Sequence, residues 1–295
     1  MKSRFRLLCL LSFLALLGAC SSSDDDESSG GGDFDNTDGG GSNQDGGGTG
    51  TAGSANKMGM LIVAESDDED FGSVVGATAT FSGYDESFEV PTTTTALFDE
   101  LVGTCEISDG SDIDDDSPLP DVGPDDDDDL TFLDAGDTVS ILSGGQSYLT
   151  LDKIEFGGAI FYGTENLVSG PMASDLTLTI PGGQFPAASS VPVESVETMV
   201  VNAPTAGSSV RFDTAFSWQP GNNDEAIVLI TAEAGTVSVD CYTEDDGSFT
   251  FPTETQNALG TAFVASEFSL ARMAVDLYYN SGEEAVLFVI SSSIR

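Results

Sequence analysis

Asp175-Leu176-Thr177-Leu178-Thr179-Ile180 alternates apolar and polar residues without a break. A period of two belongs to a strand with one buried face, and no helical stripe can be drawn through it. The same alternation recurs in Thr236-Val237-Ser238-Val239-Asp240-Cys241, and Phe212, Thr214, Phe216 and Trp218 line one side of a further segment. Turn residues sit between such runs: Gly144-Gly145 separates Val139–Leu142 from Tyr148–Leu151, and Asn280-Ser281-Gly282 separates Val275–Tyr279 from Ala285–Ile290. Asp246-Gly247 before Phe249–Phe251 reads as another hairpin turn. Ala226–Ile230 and Ala285–Ile290 are apolar throughout, which predicts strands covered on both faces. Helix is expected only at Ala96–Val102 and, stopped by Gly260, at Glu254–Leu259. The fold class is therefore all-β.

The chain of 295 residues carries 51 acidic side chains, eight basic ones and no histidine. So acidic a surface argues against nucleic acid and anionic lipid as partners, because both are held by cationic side chains. It suits divalent cations or a saline habitat in which self-repulsion is screened. Without histidine, Ser-His-Asp and Cys-His catalysis are excluded and the commonest zinc ligand is missing. Chemistry that needs only a pair of carboxylates survives.

Ahead of the β-patterned region lies a segment to be set aside from the fold. Lys2, Arg4 and Arg6 precede an apolar stretch, Leu7–Leu17, broken only by Ser12. Eleven helical residues rise roughly 16 Å, about half a bilayer core, which is too short to span. Residues 1–19 thus read as an export signal. Leu17-Gly18-Ala19-Cys20 closes it and resembles the lipobox of bacterial lipoproteins, in which the cysteine is acylated and becomes the first residue of the mature chain. The resemblance covers residues 1–20 only. It implies a lipid anchor on Cys20 and a membrane as the first partner. Ser21 stands where an aspartate would resemble the signal for inner-membrane retention, so the analogy favours the outer membrane. Residues 21–56 are almost wholly Ser, Gly, Asp, Thr and Asn, with Phe34 the one large apolar residue. Such a stretch buries too little apolar surface to offset its ordering entropy and is expected to be a disordered linker. Thirty-six residues of this kind reach roughly 30–36 Å.

Of four cysteines, Cys9 leaves with the signal and Cys20 takes the lipid, so Cys105 and Cys241 remain. Export makes a disulfide between them the default. Period-two phasing places Val237, Val239 and Cys241 on one interior face, and Cys105 and Ile107 on another. Two separate buried thiols are the alternative.

Length allows one or two domains. Pro186, Pro192 and Pro204 punctuate a stretch of small residues, which suggests a boundary near residue 190. On that division, 57–190 is a β-sandwich with an acidic insertion at 109–129, and 191–295 is a second sandwich. The latter resembles immunoglobulin-like and fibronectin type III domains in length, in its opening Ala203-Pro204-Thr205-Ala206-Gly207 and in Trp218 within Phe216-Ser217-Trp218-Gln219-Pro220. It departs from antibody domains in holding only Cys241. A single larger sandwich is the alternative, and no internal repeat decides between them.

Residues 109–129 hold eleven aspartates in 21 positions. Asp112, Asp114 and Asp116 have the alternate spacing with which calcium loops present carboxylates. As an EF-hand the segment fails, since Ser117 and Gly123 occupy the positions of the required glycine and glutamate. Calcium is thus the one cofactor to weigh, against a plain solvated loop. Glu244-Asp245-Asp246-Gly247-Ser248 fits a turn better than a cation site, and Gly182-Gly183-Gln184-Phe185-Pro186 reads as a turn with Phe185 packed inward. Tyr148, Tyr162, Tyr242, Tyr278 and Tyr279 are expected in the core rather than on a sugar platform. No phosphate loop, zinc spacing or nucleophile elbow occurs. The expected function is a lipid-anchored envelope protein for binding, adhesion or structure, with protein or glycan as partner and no enzymatic activity. The alternative is a carboxylate-dependent glycan hydrolase.

Overall fold

The protein is described by a computed structural model covering residues 35–36, 51–68, 72–91, 101–108 and 130–295. Its strands, in chain order, are β1 (Asp35–Asn36), β2 (Thr51–Asp68), β3 (Gly72–Pro91), β4 (Cys105–Ser108), β5 (Leu130–Phe132), β6 (Thr138–Ser143), β7 (Gln146–Phe156), β8 (Ala159–Thr164), β9 (Val168–Ser169) and β10 (Leu176–Ile180). They continue as β11 (Ala188–Val193), β12 (Val201–Ala203), β13 (Val210–Arg211), β14 (Ala215–Trp218), β15 (Ile227–Ala234), β16 (Val237–Glu244), β17 (Ser248–Thr250), β18 (Val264–Ala265), β19 (Glu267–Asn280) and β20 (Ala285–Ile294). Among the described residues one short helix, α1 (Thr253–Leu259), ends at Gly260. The fold is all-β.

The chain forms two compact units that interleave along the sequence. Among the described residues, the first takes those up to 91, then 130–195 and 275–291; the second takes 101–108, 196–274 and 292–295. This corrects the division into consecutive domains at residue 190. The change between 195 and 196 falls within the proline-punctuated stretch, but two features break chain order. β4 pairs with β16, far along the sequence, and so belongs to the second unit. The long strands β19 and β20 each contribute to both units, β19 with 267–274 in the second and 275–280 in the first.

In the first unit the strand order is β11-β10-β6-β7-β8-β3-β2-β20, with β5 and β9 also on β3. Its strands pair antiparallel, β10 with β6 through Leu178 opposite Ile141 and β8 with β3 through Tyr162 opposite Ala79. The hairpin between β6 and β7 turns at Gly144 and Gly145, whose φ angles of 56° and 76° suit the primed turns that match strand twist. Inward residues of all eight strands, including Leu61, Phe81, Ile141, Leu151, Tyr162 and Leu178, belong to one buried cluster. A flat sheet cannot bring residues of its two margins together, so the sheet curls on itself to enclose this core. Phe185 is fully buried there, its ring 4.6 Å from that of Phe81, as its turn sequence predicts.

The second unit places β19-β15-β16-β4 against the three-stranded sheet β12-β14-β17, with β13 and β18 paired separately. Phe216, Trp218, Phe251, Val228, Ile230, Val239, Cys241 and Leu270 make its core. Seven strands in two sheets around a tryptophan match the sandwich expected of the C-terminal region. One of them, β4, comes from outside residues 191–295, so that region is not a closed module. Asp246-Gly247 also departs from expectation: β17 pairs with β14, so this turn carries the chain to the other sheet and closes no hairpin. Ala285–Ile290 is buried at every position, and in Ala226–Ile230 only Leu229 is half-buried. Both runs are covered on two faces.

Candidate functional site

The placement of β4 decides the cysteines. Cys105 lies opposite Cys241, and the flanking backbone bonds run from Gly103 and to Thr104, so the cysteines occupy a pair without mutual hydrogen bonds. Such pairs are the narrow ones, with Cα atoms about 4.5 Å apart. Here the separation is 4.1 Å and the two sulfurs are bonded. The bridge therefore lies inside the second unit, where the sequence-based division made it a link between domains. Cys241 is fully buried. Ile107, expected beside Cys105 in the interior, is 40% exposed because β4 is an outermost strand with little beyond it to cover it. Cys20, Asp112, Asp114 and Asp116 lie outside the described residues.

The densest polar cluster of the second unit is one the sequence reading missed. Arg272 sits mid-strand in β19 between apolar neighbours, 2% exposed, and Asp245 just past β16 has a side chain 4% exposed. Arg272 Nε donates to Asp245 Oδ2 at 2.6 Å and Nη2 to Oδ1 at 3.2 Å. Nη1 donates to the Glu197 carbonyl at 3.0 Å, and Nη2 also to that of Gln219. The carboxylate accepts two further bonds, from Trp218 Nε1 at 2.6 Å and from the Gly221 N–H at 2.8 Å. A Cβ on Gly221 would fall 2.9 Å from Asp245 Oδ2, so the chain passes there only as glycine. The carboxylate's four lone-pair sites are all taken, and four of the guanidinium's five N–H groups are bonded. That is the condition under which an ion pair survives burial, and it leaves no lone pair of Asp245 for a ligand.

A second cluster lies in the first unit. Tyr162 Oη accepts from the Ala135 N–H at 2.8 Å and stands 2.9 Å from the Gly136 carbonyl and 3.1 Å from Asp134 Oδ1, which share its one proton. Lys153 Nζ contacts Glu155 at 2.9 Å and Asp134 at 3.0 Å. Burial pushes the Tyr162 phenol up to about 12. The bonds to Glu155 and Asp134 hold Lys153 protonated well above the ordinary lysine range. At Asp134, burial works to raise the carboxyl, but bonds from Lys153, Gly136 and Tyr162 outweigh it and hold it below the usual range. A carboxylate made less basic beside a lysine made less acidic is poorly suited to proton transfer near neutrality. The cluster serves as a staple between the 134–136 loop and β7 and β8. Because Asp134 is depressed in the folded state, its stabilisation is present above the ordinary aspartate pKa and is lost as pH falls through the folded value. In Asp134→Asn, the deficit in urea midpoint against wild type is expected to stay constant from pH 5 to 8, as roughly one or two units above the ordinary value of 3.8 all carboxylate is ionised. It should then shrink at lower pH.

Two more carboxylates are sheltered. Glu65 on β2 is 1% exposed and accepts from Ser73 Oγ at 2.9 Å and the Met172 N–H at 3.0 Å. Asp240 on β16 faces Glu106 on β4 and takes a 2.5 Å bond from Thr231. Burial, and behind it the charges of Glu106 and Glu233, push the Asp240 carboxyl up. Among the described residues, no group of three or more acidic, cysteine or histidine side chains is arranged to hold a metal ion. Asp245 is committed to Arg272, and Asp246 Oδ1 caps the Ser248 N–H at 2.9 Å, so the 244–248 segment is a turn. Tyr162, Tyr242 and Tyr278 are buried, and Tyr278 donates to the Pro192 carbonyl. No described helix is long and apolar enough to cross a membrane. Comparison with protein-family models, with curated proteins and with solved structures finds no match.

Proposed function

We propose that this chain is a lipid-anchored protein of the bacterial cell envelope whose β-built body serves binding, adhesion or structure without catalysis. The observation that carries the reading is Leu17-Gly18-Ala19-Cys20, placed directly after a basic start and an eleven-residue apolar stretch. Acyl chains on Cys20 would each add roughly 0.8 kcal/mol of anchoring per buried methylene, so several chains hold firmly. Ser21 favours the outer membrane. The chemistry of the described body supports a non-enzymatic role. Its two strongest charge clusters, Arg272 with Asp245 and Lys153 with Asp134, are spent on internal bonds. The large negative charge disfavours nucleic acid and leaves a protein or glycan partner, or a saline surface, as the natural setting.

Replacing Cys20 by serine is expected to move the protein from the membrane pellet to the soluble fraction. Detergent phase partition should shift with it. A Cys20→Ser chain that remains in the pellet after high-salt washing would overturn the reading.

A further inference from the structure

Three rows on the outer face of the first unit's sheet, opposite its core, are nearly free of charge. Strand register lays out its rows. Ile154 lies beside Phe161, Phe161 beside Thr80, and Thr80 beside Met60, across β7, β8, β3 and β2. Toward the β7–β8 turn, Phe156 lies opposite Ala159, while Ser82 lies between Met58 on β2 and Phe132 on β5. The row on the other side holds Asp152, Gly163, Thr78 and Ile62. Across the three rows Asp152 is the one charge, in a chain with 51 acidic residues.

The margin of this face projects. Phe156 is 80% exposed and Ile154 51% exposed, at the tip of the β7–β8 hairpin beside the turn Gly157-Gly158. Phe132 and Phe161 are half-buried, their rings 5.7 Å apart, and continue the apolar surface inward. Glu155, between Ile154 and Phe156, belongs by strand alternation to the other face and is bonded to Lys153 at 2.9 Å, so the patch of Phe156, Ile154, Phe161 and Phe132 suits a partner that is apolar and brings no countercharge.

Three partners can be compared on charge. A basic protein would find almost nothing to pair with on the face itself. A second copy of this chain would bring another large negative charge into contact, which self-repulsion opposes. A zwitterionic lipid surface carries no net charge and accepts aromatic side chains at the headgroup boundary. We infer that the β7–β8 tip, led by Phe156 and Ile154, dips into the surface of a neutral bilayer. The inference rests on the anchoring reading above: β1 and β2 take residues 35–36 and 51–56 out of the stretch expected to be linker, and residues 21–34 ahead of β1 would still keep a bilayer on Cys20 within a reach of roughly 19–22 Å. It adds a second, weaker contact, made efficient by that tethering, which would hold one face of the first unit toward the membrane.

The test places a tryptophan at the tip. Phe156→Trp in the full lipidated chain is reconstituted on phosphatidylcholine vesicles with brominated acyl chains, and wild-type emission is subtracted. The native Trp218 is 2% exposed and bonded to Asp245, so it supplies a constant background. The expected result is a blue-shifted emission from the introduced indole that the bromines quench. In the Cys20→Ser background, Ile154→Asp with Phe156→Asp should lower vesicle binding roughly a hundredfold, about tenfold per side chain. Both positions are exposed, and an unchanged cooperative melt confirms that these variants fold. Emission of the introduced indole left unquenched while the protein floats with vesicles overturns the tip contact and leaves the anchor standing. If intact mass shows no acyl chains, the anchor reading fails instead, and vesicle binding by the unlipidated chain decides the tip: binding supports it and no binding overturns it. A blue shift that grows with protein concentration in the absence of vesicles assigns the face to a second copy and overturns the inference.

Discussion

Arg272→Ala is expected to destabilise the protein by about 3–5 kcal/mol, because it strands a buried carboxylate. Asp245 would keep its bonds from Trp218 and Gly221 but lose the guanidinium paired with it. The Glu197 and Gln219 carbonyls would lose their donors as well. Asp245→Ala should cost a similar amount, since the guanidinium is then left 2% exposed and uncompensated. The double variant is the informative comparison. The two residues act as a unit, so losing both should cost little more than losing either. Trp218 is the only tryptophan and bonds directly to Asp245, so its emission follows urea unfolding at the site itself. Single variants within about 1 kcal/mol of wild type would show that the pair contributes no more than an exposed salt bridge.

The disulfide should rank next. Cys105 and Cys241 are 136 residues apart, and closing a loop of that length removes chain entropy worth about 5 kcal/mol in the simplest treatment. Measured effects of native disulfides run to about 2–5 kcal/mol, so Cys105→Ala with Cys241→Ala is expected to lose an amount in that range. The loss should concentrate at β4, four residues long and paired on one side by β16. Wild type treated with reductant should fall to the same urea midpoint as the double variant, and the double variant should not respond to reductant. Hydrogen exchange at the amides of β16 that face β4 reports the same event locally. If wild type and variant share a midpoint before reduction, the bridge adds no stability.

The contrast between these two features shows what a sequence exposes. Strand identity is local: alternation in 175–180 and unbroken apolarity in 285–290 follow from which faces are buried, and both are found in the fold. Strand partners are not local. Nothing in Glu106-Ile107-Ser108 indicates that its neighbour lies beyond residue 230, so neither the interleaved units nor the exposure of Ile107 is legible there. Asp246-Gly247 is sound turn chemistry, but a turn fixes where the chain bends and not which sheet receives it. Arg272 did leave a mark. It is the one charge in Leu270-Ala271-Arg272-Met273-Ala274, and a strand otherwise apolar on both faces has no solvent side for it. A buried arginine demands a carboxylate, although only the fold could say that the carboxylate is Asp245. Lys153, in contrast, sits among Asp152, Ile154 and Glu155 and looks like any exposed strand residue. Its role depends on Asp134, 19 positions earlier.

The proposed place in the envelope depends on the lipid at Cys20, and intact mass of protein extracted from the membrane fraction tests it most directly. The expected result is a chain beginning at Cys20, heavier than its amino acids by the mass of a diacylglyceryl group with or without a further acyl chain, and with two hydrogens fewer for the Cys105–Cys241 bridge. A mature chain with an unmodified Cys20, or one that retains residues 1–19, would contradict it.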